Sequence, residues 1–471
     1  MSNPIALLGS RYIDAFEAIL KRFGTAKRTK IILEARNRLF EEFSQKEERY
    51  LKRFLGDDFE EYQSAPQQRK NRILLDEITA CAQEIMPYHM RTLYDLFAKY
   101  MNIPFVPFNL RSLVRNIIIE EAEPGAIKRL KCASQQACIF YLSNHISNID
   151  ELGIGYFVYD YNLQTPVFIA GKNLFKGASR IVLPILNASV LDRERMEAPR
   201  RDVLRWEAQA EFMATWAKHK MDILGFLTGG RPYDGDQAKK PNVAAGFIKA
   251  LAEAVNRGYP VYIEPISLSY TRVPEDKRLY ERAIDQDHKG ARHSNLFWGW
   301  LNVNWAFHDN PLYITIHKPI SLEEYLADMK DPRAIAEDIA RRVYAATKIP
   351  AEKLLAAAAA YQYSNGTYRR GTSPILNKPL IILDTGEIIN TVADIREHLV
   401  ANNANLEKII RQASPAELVK YGSEKYKRRH TFSDKSNIGS LLIPEEEIGV
   451  LITNANHIKH KLPAYMQEAL K

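Results

Sequence analysis

Residues 138–150 read Cys-Ile-Phe-Tyr-Leu-Ser-Asn-His-Ile-Ser-Asn-Ile-Asp, and the prediction of the fold starts from this stretch. The apolar run Cys138–Leu142 is short and rich in β-branched and aromatic residues, which predicts a buried strand. From Glu151 to Tyr161 the apolar residues recur at helical intervals, which predicts a helix. His145 is therefore predicted to lie on a strand-to-helix loop.

The same loop brings a histidine and a carboxylate within reach of each other. Residues five apart on one continuous helix face apart by roughly 140°, whereas a turn lets Asp150 fold back to an imidazole nitrogen of His145. A histidine held in this way keeps the tautomer whose other nitrogen accepts a proton. The alternative is a polar loop in which Asn148 or Asp150 merely caps the helix. The His-x4-Asp spacing alone does not decide between them.

Length and composition predict an ordinary globular protein. The chain has 471 residues, 46% of them hydrophobic and 26% charged, which suggests two to four domains. Its three cysteines (Cys81, Cys132 and Cys138) form no framework spacing, which favours a reducing compartment. No signal peptide and no apolar stretch long enough for a membrane-spanning helix are expected. The net charge of +8 is compatible with an anionic membrane surface, phosphate-bearing substrates or nucleic acid.

Three regions are predicted. Residues 1–125 have helical periodicity and form either an amphipathic, membrane-facing or partner-binding domain or a plain helical bundle on the next domain. In residues 126–350 strands alternate with helices, which predicts an α/β fold with a mostly parallel sheet covered by helices. Residues 351–471 are expected to form a small α+β region after a polar linker, Tyr361–Ser373. There, Leu380–Ile389 is predicted to be a hairpin around Asp-Thr-Gly.

Two stretches outside the predicted sheet core favour contact with a surface. Residues 295–307 contain three Trp and two Phe, a composition that suits a membrane interface or, equally, a Trp-rich core helix. The cluster Lys425, Lys427, Arg428 and Arg429 is interpreted as a solvated basic face, with contact to phosphates or lipid head groups as the alternative.

Glycine and arginine residues, which are suited to bind ligands, follow the ends of further predicted strands. Arg193 follows Ala188–Leu191, and Gly229-Gly230-Arg231 follows Ile223–Leu227. Glycines let backbone N–H groups approach a ligand, and arginine presents a fork that matches phosphate oxygens. Pro265 interrupts a long apolar strand, which suggests an edge or a bend at a pocket wall. In a parallel sheet these strand ends meet at one edge.

In order and spacing, these four stretches resemble the four sequence blocks of the glycerolipid acyltransferase superfamily. The form is closest to the glycerol-3-phosphate and dihydroxyacetone-phosphate acyltransferases. The blocks are Asn144–Asp150, Leu191–Arg193, Gly225–Arg231 and Pro265–Tyr270 with Glu275, and the resemblance covers about Gly125 to Ala346. The sequence departs from the family at Thr228, where the third block normally has Glu.

The resemblance implies direct acyl transfer from acyl-CoA or acyl-carrier protein to glycerol 3-phosphate. His145 would act as general base and Asp150 would orient it, while backbone N–H groups near Gly229 and Gly230 would stabilise the oxyanion. Arg193 and Arg231 would bind the phosphate, and Pro265 would line the substrate pocket. No metal and no cofactor besides the thioester substrate are expected. A positively charged chain of this kind is expected to bind the cytoplasmic side of a membrane peripherally.

Other functions stay open at this stage. Dihydroxyacetone phosphate or lysophosphatidate is an alternative acceptor. The departure at Thr228 also leaves a degenerate acyltransferase that binds lipids or partners. Nucleic-acid binding is not expected, because only the basic cluster near residue 427 favours it.

Overall fold

The computed structural model describes residues 26–88, 116–147, 149–175, 183–192, 202–232, 234–236, 241–273, 276–284, 311–372, 378–428, 432 and 439–470. The predictions for Arg193, Glu275 and the Trp-rich stretch 295–307 lie outside the described residues.

Helices and strands alternate through the middle of the chain. The helices are α1 (Ala26–Phe43), α2 (Glu48–Leu55), α3 (Phe59–Ser64), α4 (Gln67–Ile85), α5 (Ala126–Gln136), α6 (Asp150–Asp160), α7 (Val203–Lys218), α8 (Asn242–Asn256), α9 (Asp276–Ile284), α10 (Leu322–Met329), α11 (Pro332–Ala346), α12 (Ala351–Ser364), α13 (Thr385–Ala401), α14 (Lys408–Gln412), α15 (Pro415–Arg428), α16 (Ile448–Asn456) and α17 (Ala464–Ala469). The strands are β1 (Ile117–Glu121), β2 (Cys138–Ser143), β3 (Val167–Gly171), β4 (Ala188–Leu191), β5 (Ile223–Phe226), β6 (Val261–Tyr270), β7 (Leu312–Ile316), β8 (Ile320–Ser321), β9 (Arg369–Thr372), β10 (Pro379–Asp384) and β11 (Ser440–Pro444).

The larger sheet has the order β1-β7-β6-β2-β5-β3-β4, with β8 paired to β6. Strands β6, β2, β5, β3 and β4 run parallel to one another, and β7 runs antiparallel to β6. The α/β prediction is confirmed. Because β6 and β5 flank β2, the segments that follow these three strands emerge at the same edge of the sheet.

Strand β2 is buried along its whole length because helices cover both faces of the sheet. Phe140 belongs to the core beneath α7 and α8, and it meets Phe247 edge to face at 6.2 Å between ring centroids. Tyr141 points to the opposite core, which α5 and α6 cover. Alternate residues of a strand face opposite sides of its sheet, so an uninterrupted apolar run is what a strand covered on both faces requires.

The N-terminal helices pack on the α/β sheet. The apolar faces of α1 and α4 are buried in the same core as α7, and Arg38 of α1 reaches Glu211 of α7 at 3.3 Å. The bundle interpretation therefore holds for the described residues of this region. One part of the prediction is wrong: Ile117–Glu121 is not helical but forms β1, which pairs in parallel with β7.

The C-terminal region has its own core around α12, whose residues Ala356–Ala360 are completely buried. The predicted linker Tyr361–Ser373 is wrong, because α12 continues to Ser364 and Arg369–Thr372 forms β9. The predicted hairpin is also wrong. Asp384 ends β10, and its carboxylate accepts a hydrogen bond from the Glu387 N–H at 3.0 Å, so it caps α13 instead of turning the chain into a second strand.

The basic cluster of the C-terminal region begins at the end of α15. Tyr426 is buried against Arg272 of the α/β region, at 6.0 Å from the guanidinium carbon to the ring centre, whereas Lys425 and Lys427 are half-buried. Within the described residues, no helix combines the length and apolar character needed to cross a bilayer.

Candidate active site

The loop that carries His145 is fixed at its start by the side chain of Asn144. The Asn144 Nδ2 group donates to the carbonyl of Leu268 in β6 at 3.0 Å, and Asn144 Oδ1 accepts from the Leu268 N–H at 2.8 Å. The buried amide side chain thus continues the pairing of β2 with β6 for one more step. As a result, the chain leaves the sheet edge in a defined direction immediately before His145.

His145 and Asp150 form the predicted contact. The distance from His145 Nδ1 to Asp150 Oδ2 is 2.8 Å, and the Asp150 side chain is completely buried whereas that of His145 is 11% exposed. Because an ionised carboxylate only accepts hydrogen bonds, Nδ1 of the neutral imidazole carries the proton. Nε2 then has its lone pair available to accept a proton from another group.

Asp150 is held by donors from two parts of the chain. Its Oδ2 atom accepts from the N–H groups of Ile146 at 2.6 Å and Ser147 at 2.9 Å, and its Oδ1 atom accepts from the hydroxyl of Tyr270 at 2.7 Å. These bonds stabilise the carboxylate in a site without solvent access. The capping interpretation is wrong for Asp150, which is the first residue of α6 and bonds backwards to the loop.

Phe226 fixes the plane of the His145 ring. The two rings stack with their centroids 4.0 Å apart and an interplanar angle of 13°. Phe226 is the last residue of β5, the strand next to β2. The imidazole is therefore held at Nδ1 by Asp150 and on one face by an aromatic ring, and these two contacts define where Nε2 lies.

The glycine turn after β5 lies beside the His145 loop. The Leu227 N–H donates to the Ser143 carbonyl at 2.9 Å, which extends the pairing of β5 with β2. Gly229 has φ +68°, and a Cβ atom there would come within 2.7 Å of the Val243 side chain, so the turn requires glycine. The hydroxyl of Thr228 donates to the Gly230 carbonyl at 2.8 Å and stabilises the turn.

Arg231 follows this turn, and its charge reaches the first turn of α6. Burial raises the pKa of the Glu151 carboxyl, while the positive charge of Arg231 acts in the opposite direction. Arg231 thus follows β5 at the same edge of the sheet as Asp150, which begins α6 after β2.

Pro265 lies elsewhere on β6. In the register of the two strands it is the partner of Leu142, three residues before His145. The predicted strand edge is wrong, because β6 is an interior strand between β7 and β2. On its far side β6 pairs with β8 up to Ile263 and with β7 from Ile266, so the proline occupies a gap in this ladder, where no backbone donor is required.

Asp192, the last described residue before Arg193, is buried and accepts a hydrogen bond from Lys172 Nζ at 2.7 Å.

Among the described parts of the chain, no group of three or more His, Cys, Asp or Glu residues is arranged to hold a metal ion. Three residues of the site had no role assigned from the sequence: Phe226 and Tyr270, which contact the dyad, and Asn144, which fixes the start of the His145 loop. Their common signal is that each lies at the carboxyl end of β2, β5 or β6.

Comparisons with known proteins show similarity to acyltransferases. The family model described as Acyltransferase matches residues 127–269. Dihydroxyacetone phosphate acyltransferase of Bos taurus is 26% identical over 179 residues, which are 37% of this chain and 25% of the bovine enzyme. The chain thus spans about a quarter of the length of this curated relative.

Among solved structures, the lysophosphatidate acyltransferase PlsC of Thermotoga maritima is similar over 67% of this chain and 95% of its own, with 16% identity and a TM-score of 0.29. Residues 127–269 form an acyltransferase domain. The family-model match and the curated relative together show similarity to glycerolipid acyltransferases.

Proposed function

We propose that this protein transfers an acyl group from a thioester to the hydroxyl of glycerol 3-phosphate and so forms lysophosphatidate. The observation that carries the proposal is the buried contact between His145 and Asp150, beside the turn Gly229–Arg231. An imidazole with a protonated Nδ1 and an available Nε2 is suited to remove a proton from a hydroxyl group. Arginine after a glycine turn is suited to bind a phosphate.

In the proposed reaction, His145 Nε2 accepts the proton of the acceptor hydroxyl as its oxygen attacks the thioester carbonyl carbon. Asp150 stabilises the imidazolium that forms. The tetrahedral intermediate then collapses: the carbon–sulfur bond breaks, and the leaving thiolate takes the proton back from His145. No covalent acyl-enzyme and no cofactor besides acyl-CoA or acyl-carrier protein enters this sequence.

The proposed reaction has two negative charges to stabilise, the oxyanion of the tetrahedral intermediate and the phosphate of the acceptor. The Gly229 N–H already donates to the Phe226 carbonyl at 3.1 Å, so we assign the oxyanion contact to the next amide, that of Gly230. Arg231 binds the acceptor phosphate together with Arg193. Pro265 supports the wall of this pocket through β6, and Thr228 takes over the stabilisation of the glycine turn in place of the family's glutamate.

The experiment offers the purified protein labelled glycerol 3-phosphate with acyl-CoA or acyl-carrier protein and measures labelled lysophosphatidate. His145→Ala should lower turnover roughly 10²–10⁴-fold, the usual contribution of a general base. His219→Ala is the control, because it also removes a histidine paired with a carboxylate, Glu34, at 3.0 Å, but at the end of α7. Turnover by His145→Ala equal to that of the control would refute the mechanism.

Dihydroxyacetone phosphate is the second candidate acceptor, favoured by the match to the bovine enzyme that is named for it. The two acceptors share the phosphate and one reacting hydroxyl and differ at the central carbon. Parallel measurements of kcat/KM with each of them, and with lysophosphatidate, decide between them. Absence of product with every acceptor and both donors would favour a binding protein on a degenerate acyltransferase fold.

A further inference from the structure

Helix α16 of the C-terminal region connects the segments that follow β5 and β6. These two strands flank β2, which carries His145. The segment after β5, here called the post-β5 segment, comprises Arg231, Pro232 and Asp234–Asp236 in the described chain. One helix therefore contacts the chain on both sides of the candidate active site.

On the β5 side, the buried Asn456 donates from Nδ2 to the carbonyl of Asp234 at 2.7 Å. Gly235, the next residue, has φ +81°, and a Cβ atom there would lie 2.5 Å from the carbonyl oxygen of Thr453 in α16. The post-β5 segment and α16 are thus in contact backbone to backbone, a distance that only glycine permits. The position of α16 therefore determines the position of this segment.

On the β6 side, Asn454 of α16 donates from Nδ2 to Oδ2 of Asp276 at 3.1 Å. Asp276 forms a buried ion pair with Arg272, two residues after the end of β6. The orientation of the Asn454 amide is determined by Lys353, whose ammonium donates to Asn454 Oδ1 at 2.6 Å. Arg272 comes two residues after Tyr270, the end of β6, whose hydroxyl bonds Asp150.

We infer that the C-terminal region, through α16, positions the post-β5 segment so that Arg231 can bind a phosphorylated acceptor, and that Asn456 is a positioning residue for this purpose. The inference rests on the proposed function, because it concerns the same phosphate site. Asn456 bonds Asp234, three residues after Arg231, and touches neither His145 nor Asp150 through any described contact. Its removal should therefore change acceptor binding more than the chemical step.

The first experiment compares Asn456→Ala with Asn405→Ala. Asn405 is a matched control: its Nδ2 group also donates from the C-terminal region to a main-chain carbonyl of the α/β region at 2.7 Å, but to Ala346 at the end of α11. Asn456→Ala should raise the acceptor KM about threefold to tenfold, the effect of one hydrogen bond. Its kcat and its donor KM should stay those of the control. An equal acceptor KM in both variants would overturn the inference.

The second experiment tests the backbone contact. Gly235→Ala places a methyl group against α16, whereas Gly258→Ala introduces the same kind of strain at φ +80° with no atom within 4 Å of the new Cβ. We expect Gly235→Ala to raise the acceptor KM at least as much as Asn456→Ala does, and Gly258→Ala to leave it unchanged. Equal acceptor KM values in the two glycine variants would contradict the inference.

A third measurement separates this inference from the proposed function. If the parent protein transfers no acyl group to any acceptor, the proposed function fails, and hydrogen exchange of the amides in residues 229–236 then tests the positioning. Asn456→Ala should exchange faster there than Asn405→Ala does, because the segment loses its support. Equal exchange in the two variants would refute the role of α16.

Discussion

At the scale of single residues, the candidate base is defined by what surrounds it. His145 has Asp150 at one nitrogen and Phe226 on one ring face, and Asp150 has Tyr270 on its second oxygen. These contacts leave the imidazole one tautomer and one orientation. A histidine held in this way loses less freedom when a substrate hydroxyl binds than an exposed histidine would.

Of the groups around His145, the Tyr270 hydroxyl can be removed with the smallest change to the rest of the site. Tyr270→Phe leaves a buried carboxylate oxygen without its donor, so we expect a loss of about 1–3 kcal/mol of unfolding free energy. Turnover should fall with little change in acceptor KM, since the altered group orients the base. Chemical denaturation and steady-state kinetics measure both.

Tyr313→Phe is the control for this prediction. It removes an equivalent bond, from a buried tyrosine of β7 to Glu407 Oε1 at 2.9 Å, outside the dyad. A loss of turnover in Tyr313→Phe as large as that in Tyr270→Phe would show that general loosening of the fold, not orientation of His145, is being measured.

Arg231 is expected to recognise the acceptor by its planar fork. Arg231→Lys keeps the charge but loses the bidentate geometry, so the acceptor KM should rise roughly tenfold while the donor KM changes little. Glycerol without phosphate should be a poor acceptor for the parent enzyme. An unchanged acceptor KM in Arg231→Lys, or equal use of glycerol, would show that the phosphate is bound elsewhere.

The departure at Thr228 can be tested at the same site. Thr228→Val removes the hydroxyl that donates to the Gly230 carbonyl while keeping the shape of the side chain. Thr228→Glu instead restores the residue type usual in the family. If the hydroxyl stabilises the turn, Thr228→Val should raise the acceptor KM, and activity in Thr228→Glu shows whether a glutamate is compatible with this form of the loop.

At the scale of elements, the short polar sequence after β10 proved to be the N-terminal cap of helix α13. Asp384-Thr385-Gly386 satisfies the rules for a tight turn, but the Asp384 carboxylate accepts from the Glu387 N–H and α13 follows. Asp384→Ala should cost about 1 kcal/mol of unfolding free energy, and Asp384→Asn much less, because asparagine also caps helices. Equal losses in chemical denaturation would contradict this role.

The buried polar cluster around α16 predicts a pH dependence. Burial and the nearby Lys353 charge lower the pKa of His457 well below its ordinary value. Below pH about 6.5 the unfolded chain binds a proton at this residue that the folded chain does not. Stability is therefore complete above that pH and falls as the pH decreases, by at most about 1.4 kcal/mol per pH unit.

Substitution of His457 by glutamine isolates this contribution. Denaturation of the parent and of His457→Gln between about pH 5.5 and about pH 7.5, a range of about one unit on either side of the ordinary pKa, gives the two slopes of unfolding free energy against pH. The parent should have the steeper loss toward acid, because the other titrating groups are common to both. Identical slopes would show that the pKa of His457 is the same in the folded and the unfolded chain.

At the scale of the whole molecule, the net charge of +8 favours binding to an anionic membrane. We expect co-sedimentation with vesicles that contain phosphatidylglycerol but not with pure phosphatidylcholine. Binding should weaken as salt rises, because charges are screened over about 8 Å at physiological ionic strength. Binding that depends on neither salt nor lipid charge would contradict an electrostatic contribution.

The double substitution Lys425→Glu with Lys427→Glu tests the basic cluster at the end of α15. Both side chains are half-buried, so part of each remains on the surface. If this cluster faces the lipid, the variant should lose binding that is retained by Arg36→Glu, a charge reversal at a half-buried arginine of α1. Equal binding by the two variants would locate the membrane surface elsewhere on the molecule.

The sequence by itself determined the class of fold and the placement of His145 and Asp150 on one strand-to-helix loop, where they can reach each other. Both depend on neighbours within a few residues: alternation and apolar runs report on local burial, and a loop of five residues can bring a carboxylate back to an imidazole. For the same reason the prediction missed β1, an edge strand with only one partner, and misjudged Asp384, because a turn and a helix cap use the same residue types.

Only the tertiary structure decided which distant residues complete the site. Tyr270 bonds Asp150 across 120 positions of sequence, and Phe226 reaches His145 because β5 lies beside β2. The contact of Asn456 with Asp234 spans 222 positions. The order of strands in the sheet sets the first two contacts, and the packing of α16 against the α/β region sets the third. Both are non-local properties that no short stretch of sequence contains.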